Sequence, residues 1–519
     1  MQCVYVNPEK RQGNNMEQNT YINPVISGSY PDPSVIRVGD DYYSVHSSFI
    51  YFPGVPIFHS RDLVNWKQIG YVLDRPSQLD LTGMRSNAGI YAPTIRYHDG
   101  TFYMITTNIE GIGNFFVTAT DPAGPWSDPI IVEDDGMDPS LFFDDDGKVY
   151  YTQHVGGGDG YIGQAEIDIK TGELKGPLQN IWNGTGNQWA EGPHLYKILG
   201  VYYLLIAEGG TSLNHMITVA KSGSPMGPFE SCPANPVMTH SDDPAHPFQT
   251  IGHADIFETP DGWWMVCLGV RPANNHLGRE MFLAPVEWRN GWPVINGGNH
   301  ISEVMDAPKL QASPLPEPPV RDHFDSETLD IRWNYLRNPV LEHYSLSERP
   351  GYLRLYGTET SLNEKGSPTF LARRQEHARA KVAAKMSFVS EAENEEAGLV
   401  IRCSDEYRID FGVCRRNGKR RAFIRRIDAG KGEIIHGVEI PGKDEVILLI
   451  DAFPHMYNFY VHIEGNAPVF IGSSETSVYS YENSDSFMGV LIGMYATGNS
   501  EKNANPADFD WFDYEGIKK

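Results

Sequence analysis

The chain has 519 residues, of which 67 are acidic and 42 basic, giving a formal net charge of -25. That balance argues against a polyanionic partner, so no nucleic acid and no anionic membrane surface is expected, and a neutral substrate suits it better. At this length a single hydrophobic core has stopped growing, so at least two domains are expected.

Aromatic residues make up 12% of the chain, with 51 Gly and 36 Pro, and long apolar helical runs are scarce. This is the composition of an all-β protein rich in turns. The five cysteines, Cys3, Cys232, Cys267, Cys403 and Cys414, are odd in number and scattered without metal-ligand spacing, so neither a disulfide framework nor a metal cluster is expected. The first 22 residues hold no apolar core of a signal peptide, and no run of 18 apolar residues occurs. A cytoplasmic location is the expectation.

After an N-terminal extension (residues 1–20), a unit recurs five times between residues 21 and 306: a turn or acidic residue, Pro, any residue, an aliphatic, then paired aromatics. Its openings are Asp32-Pro33-Ser34-Val35, Ala92-Pro93-Thr94-Ile95, Asp138-Pro139-Ser140-Leu141, Gly192-Pro193-His194-Leu195 and His253-Ala254-Asp255-Ile256. The aromatic pairs are Tyr42-Tyr43, Phe102-Tyr103, Tyr150-Tyr151, Tyr202-Tyr203 and Trp263-Trp264. They follow the Pro (Ala254 in the fifth unit) by 9, 9, 11, 9 and 9 residues. Turn pairs such as Asp99-Gly100 and Asp261-Gly262 stand between, so each unit reads as strand, tight turn, aromatic strand. Openings 60, 46, 54 and 61 residues apart leave room for one four-stranded sheet each. The spacing predicts a five-bladed β-propeller.

First strands of propeller blades run along the central channel, so the openings should converge there with Asp32, Asp138, Glu191 and His253. An Asp-Pro pair can be a mere turn starter that caps its own backbone. Ala92 at the equivalent position shows that this turn does not demand Asp. Asp144, Asp145 and Asp146, by contrast, read as a solvated hairpin tip. Three carboxylates and a histidine without a nucleophilic Ser or Cys suit glycoside hydrolysis, in which a protonated acid serves the leaving oxygen and an ionised base activates water. A third carboxylate near the acid would raise its pKa.

Over residues 23–294 the chain resembles glycoside hydrolase family 43, the β-xylosidase and α-L-arabinofuranosidase family. The resemblance rests on Asn23-Pro24 with Tyr30-Pro31-Asp32-Pro33-Ser34-Val35, on Phe52-Pro53-Gly54-Val55, and on Ser60-Arg61-Asp62-Leu63-Val64-Asn65-Trp66. It also rests on Glu191-Gly192-Pro193-His194-Leu195-Tyr196, Gly252-His253-Ala254 and Leu277-Gly278-Arg279-Glu280. It implies an inverting exo-hydrolase with Asp32 as general base, Asp138 as the residue that tunes and orients the acid, and Glu191 as general acid. It further implies that Arg279 bonds sugar hydroxyls, that Phe49 and Tyr91 line the sugar pocket, and that His253 stands on the axis. No cofactor is required, and a structural calcium ion near His253 is compatible with the family. Arg279 could instead form an ion pair with Glu280 or another acid. The implied substrates are xylo-oligosaccharides or arabinose-substituted saccharides, with terminal β-D-xylose the first expectation and α-L-arabinofuranose the alternative; a homo-oligomer is compatible.

Residues 307–322 include five prolines, a semi-rigid spacer. Beyond it, from 323 to 519, short alternating segments such as Tyr352-Leu353-Arg354-Leu355-Tyr356, Gly398-Leu399-Val400-Ile401-Arg402 and Tyr457-Asn458-Phe459-Tyr460-Val461-His462 predict a β-sandwich. The ending Ala507-Asp508-Phe509-Asp510-Trp511-Phe512-Asp513-Tyr514 resembles that of the lectin-like sandwich appended to family β-xylosidases, which lends a loop to the pocket rim. Two other readings compete: a non-catalytic carbohydrate-binding propeller, and a sialidase-like propeller suggested by Ser60, Asp62 and Trp66. The latter lacks a repeated turn motif and an arginine cluster.

Overall fold

Each repeat unit opens an antiparallel sheet, four-stranded in the first, third and fifth blades and extended by a two-residue strand to five in the second and fourth. In the computed structural model, which describes residues 20–442, 445–463, 465–484, 486–501 and 505–518, the first blade comprises Ser34–Val38, Asp41–Val45, Gly54–Ser60 and Lys67–Leu73. The other four open on Thr94–His98, Met137–Phe143, Glu191–Ile198 and Gln249–Thr259. These five first strands touch in ring order, the fifth returning to the first, which closes the propeller. The aliphatic residue of every repeat, Val35, Ile95, Leu141, Leu195 or Ile256, is buried between blades, as a period-two strand with one face on the core requires. The rest of the N-terminal extension, with Cys3, lies outside the described residues.

Two devices close the ring. Thr20–Ile22 pairs with Val304–Asp306, so the two ends of the propeller segment clasp each other. Around the axis, Asp255 of the fifth blade accepts Ser34 Oγ of the first (2.7 Å), Arg96 Nη1 of the second (3.0 Å) and Tyr196 OH of the fourth (2.5 Å). Burial acts to raise the Asp255 carboxyl, but Arg96, His194 and these hydrogen bonds outweigh it and bring it down to about 2.

The C-terminal unit is two packed sheets. One runs Tyr344–Ser345, Leu353–Leu355, Ala507–Gly516, Ala380–Ser387, Val446–Phe453, Met456–Ile463 and Val469–Glu475, with Arg321–Asp322 pairing onto Ala507–Gly516. The spacer's last two residues therefore already belong to this sheet. The other runs Lys431–Glu439, Lys419–Asp428, Arg408–Arg416, Glu396–Arg402, Leu491–Thr497, Thr369–Arg374 and Asn334–Leu336. Its final strand comes from the propeller: Tyr51–Phe52 pairs antiparallel with Tyr335 and Leu336. The two units are thus joined through a shared sheet as well as by the spacer.

One sequence expectation fails. Asp144 is not a solvated hairpin tip but is buried, accepting Lys197 Nζ and Tyr202 OH of the fourth blade, each at 2.7 Å. A buried carboxylate is retained when it is paired and hydrogen-bonded, and here it ties two blades together. Asp145 and Asp146 remain exposed.

Candidate active site

The residue before the Pro, or before Ala254, lies within the N-terminal half of each first strand or up to two residues before it, and in four blades it has left-handed backbone. The φ values are 54° for Asp32, 54° for Asp138, 56° for Gly192 and 49° for His253. Asp and Gly are among the few residues that enter this region readily. The ladders are irregular at the same places, between Met137 and Ser140 and between Glu191 and His194, and such bulges re-aim side chains. The local backbone therefore turns these residues toward one end of the channel. In the fourth blade the position can hold only glycine: a Cβ on Gly192 would lie 2.8 Å from the His253 ring. The carboxylate of that blade is supplied from the preceding residue, Glu191.

Asp32, Asp138, Glu191, His253, Arg279, Phe49 and Tyr91 line one cavity of about 380 Å³, together with Ala92, Ile109, Met137, Trp189, Gly210, Thr211 and Phe487. All seven side chains singled out in the sequence are brought together. Asp32 is held from two sides, Ser47 Oγ donating to Oδ2 at 2.5 Å and Arg279 Nη1 to Oδ1 at 2.9 Å. His253 Nδ1 stands 3.9 Å from Oδ1. Arg279 does not pair with Glu280, whose carboxylate is bound by Arg271 at 2.6 Å and by Ser27 at 2.7 Å.

The three carboxyls are driven apart electrostatically. Burial acts to raise Asp32, but the charges of Arg279 and His253 and the Ser47 hydrogen bond outweigh it and hold the group below the usual carboxylate range. Burial pushes Glu191 well above that range, and the negative charges of Asp138 and Asp32 push it further, against Arg279. Asp138 is also raised, first by burial and then by Asp32, with His253 and Arg279 opposing. One pocket thus favours the ionised form of one carboxyl and the protonated form of another, the pairing that acid and base catalysis needs. Among the described residues no group of three or more His, Cys, Asp or Glu side chains is placed to share a metal ion.

The chain matches the model of Glycosyl hydrolases family 43 over residues 21–293 and that of the Beta xylosidase C-terminal Concanavalin A-like domain over residues 321–515. The protein belongs to glycosyl hydrolase family 43. It is a glycosidase. It is 46% identical over 508 residues to a non-reducing end alpha-L-arabinofuranosidase of Bacteroides ovatus, covering 96% of this chain and 95% of that one. It is 41% identical over 517 residues to a xylosidase/arabinosidase of Butyrivibrio fibrisolvens, covering 95% and 99%. Among solved structures, the GH43B protein of the Bacteroides ovatus xyloglucan PUL superposes with a TM-score of 0.93 at 46% identity, covering 96% of this chain and all of that one. A xylan beta-1,4-xylosidase of Bacillus halodurans superposes with 0.90 at 38%, covering 95% of this chain and all of that one.

Two lining aromatics of the glycosidase were missed by sequence reasoning. Phe487 comes from the sandwich, and it identifies the loop that this domain lends to the pocket. Its backbone N–H donates to Asn87 Oδ1 (3.0 Å) and its carbonyl accepts Arg279 Nη2 (3.2 Å). Its ring lies 5.8 Å from Phe49 and 6.1 Å from Tyr91. No local pattern marks it, because only the tertiary fold brings residue 487 to residue 87. Trp189, two residues before Glu191, was within reach as an aromatic beside a candidate acid.

Proposed function

We propose that this glycosidase removes one terminal pentose from the non-reducing end of a plant saccharide with inversion, Asp32 acting as base, Glu191 as acid and Asp138 tuning the acid. The observation that carries the reading is the opposite displacement of the Asp32 and Glu191 carboxyls within one pocket. Ionised Asp32 takes a proton from water as that water's oxygen bonds to the anomeric carbon. The glycosidic C–O bond breaks, and the Glu191 proton passes to the departing oxygen. Asp138 adds negative charge beside Glu191 and keeps the acid protonated. Arg279 holds Asp32 with Nη1 and the Phe487 carbonyl with Nε and Nη2, which leaves one N–H on each terminal nitrogen for sugar hydroxyls.

A cavity of about 380 Å³, walled on the sandwich side by Phe487, supports exo action on a small terminal unit. For the sugar, α-L-arabinofuranose is placed first, supported by the 46% identity to the Bacteroides ovatus arabinofuranosidase. β-D-xylose is the second reading, supported by full-length relatives named β-xylosidase, such as that of Bacillus subtilis at 34% over 532 residues. The test is hydrolysis of 4-nitrophenyl α-L-arabinofuranoside and β-D-xyloside by wild type and Asp32→Ala, with the first-formed anomer followed by proton NMR. Release of the inverted pentose by wild type alone is expected. A retained anomer, or no release from either glycoside, overturns the reading.

A further inference from the structure

The chemistry proposed above leaves one wall of the pocket without a task. Trp189 lines the cavity and is 37% exposed, and it belongs to none of the buried apolar clusters. Its backbone φ is 58°, a region that a bulky side chain rarely enters. Such strain persists where the surroundings over-determine it, and it gathers at working sites.

Here the surroundings do so. Trp189 N donates to Gly158 O at 2.8 Å, and Gly209 N donates to Gln188 O at 2.7 Å. Beneath the same connection, the fully buried Glu208 accepts Thr185 N (2.9 Å), Thr185 Oγ1 (3.0 Å), Asn187 N (3.2 Å) and Thr218 Oγ1 (2.6 Å). The segment before Glu191 is therefore moored to the third blade through Gly158 and to its own blade through Glu208 and Gly209. Glycine flanks the indole: a Cβ on Gly210 would lie 2.8 Å from Cδ1, whereas one on Gly158 would reach only ordinary contact at 3.7 Å. A rigidly held, uncovered indole is an interaction surface, since tryptophan supplies large contact area at small entropic cost.

Its position says what it meets. Phe49, Tyr91 and Phe487 pack on one another, with Arg279 within 5.8 Å of the Phe49 ring and 5.7 Å of the Phe487 ring, so they belong to the end of the pocket where Asp32 is held. Trp189 is packed with none of these rings; it precedes Glu191 by two residues, lines the same cavity, and has its ring 6.0 Å from His154. The acid must reach the oxygen of the departing sugar, so that sugar has to pass beside Glu191.

We propose that Trp189 is the platform for the leaving-group sugar, whose apolar face lies on the indole while Glu191 protonates the oxygen it leaves with. The inference rests on Glu191 being the acid and deepens that reading by assigning the aglycone as a saccharide. The test compares two substrates of the same anomeric form: a terminal pentosyl-xylose disaccharide, whose leaving group is a sugar, and the corresponding pentosyl fluoride, whose leaving group is too small to touch the wall. In Trp189→Ala, kcat/KM for the disaccharide is expected to fall about tenfold further than kcat/KM for the fluoride, mainly through KM. Trp189→Phe should recover much of the difference, because a flat ring is retained. Equal losses on both substrates would show a structural or pentose-side role and overturn the proposal, as would an unaltered disaccharide reaction. A wild-type enzyme that hydrolyses neither substrate defeats the parent reading, and this inference with it.

Discussion

Arg279 Nη1 lies 2.9 Å from Asp32 Oδ1, and the two side chains are almost wholly buried together. The guanidinium holds the Asp32 carboxyl down against the burial that would raise it. Arg279→Met removes that opposition, so the folded-state pKa of Asp32 rises. A base must be ionised to act, so the acidic limb of the kcat/KM profile against pH moves to higher pH. At the optimum, kcat/KM falls by about 10²–10³, the order seen when one charge-stabilising donor is lost. A profile that drops uniformly without moving its acidic limb would break the link between the two residues.

Glu191→Gln cannot supply a proton. Hydrolysis of a saccharide falls by about 10²–10⁴, the usual worth of general acid catalysis. The loss should shrink markedly with 2,4-dinitrophenol as leaving group, which departs without protonation. Because the Glu191 carboxyl is raised, it sets the alkaline limb of the wild-type profile, and that limb should disappear in the variant. Steady-state rates with the two leaving groups across pH check both points.

The same substitution should stabilise the protein. A carboxyl whose folded pKa lies above its unfolded value near 4.5 binds protons more tightly in the native state. Native stability is then fullest below that value and declines as pH rises through the folded value. Glu191→Gln has no charge to bury, so its Tm exceeds that of wild type at pH 7, and the difference closes below about pH 4. Thermal melts at the two pH values provide the measurement, and equal melting at pH 7 would count against a strained acid.

Asp255 gives the opposite sign. Its carboxyl is lowered to about 2 in the folded protein, so its contribution is present above the usual value of 3.8 and is lost as pH falls through the folded one. Asp255→Asn leaves Arg96 largely buried without its counter-charge, at a cost of about 3–5 kcal/mol. The variant should melt well below wild type at pH 7, and the gap should narrow on acidification from pH 4 to pH 2.

Phe487→Ala removes the ring that the sandwich sets against Phe49 and Tyr91 while retaining the backbone carbonyl that Arg279 binds. KM for terminal pentosides should rise severalfold with kcat less affected. Product analysis on oligosaccharides branched at the terminal unit should show substrates that wild type refuses. Unaltered KM would place the pentose away from this wall.

The propeller was legible because five blades repeat one local problem, a tight turn between an inner strand and an aromatic strand. Asp32 and Asp138 stood out at equivalent positions of that repeat. The offset of Glu191 was visible but not its reason, which lies in contact between Gly192 and the His253 ring of another blade. Asp144 was misread because a run of three acids looks solvated, while its partners Lys197 and Tyr202 are more than fifty residues away. Phe487 and the strand Tyr51–Phe52 left no local trace, since both exist only where the two units meet. The sequence put xylose before arabinose, and the relatives, which include an arabinofuranosidase and β-xylosidases, fit both readings.

The strand Tyr51–Phe52 also sets a timetable for synthesis. Its partner, Asn334–Leu336, leaves the ribosome roughly 280 residues later. At about 5–20 residues per second, that is a delay of roughly 15–60 s. During this interval the segment Tyr51–Phe52, which pairs with no strand of the first blade, lacks the strand it is to join, and unpaired aromatic strands of this kind seed misassembly. The ribosome-bound chain therefore carries an aggregation liability that the finished enzyme, with this strand paired, does not.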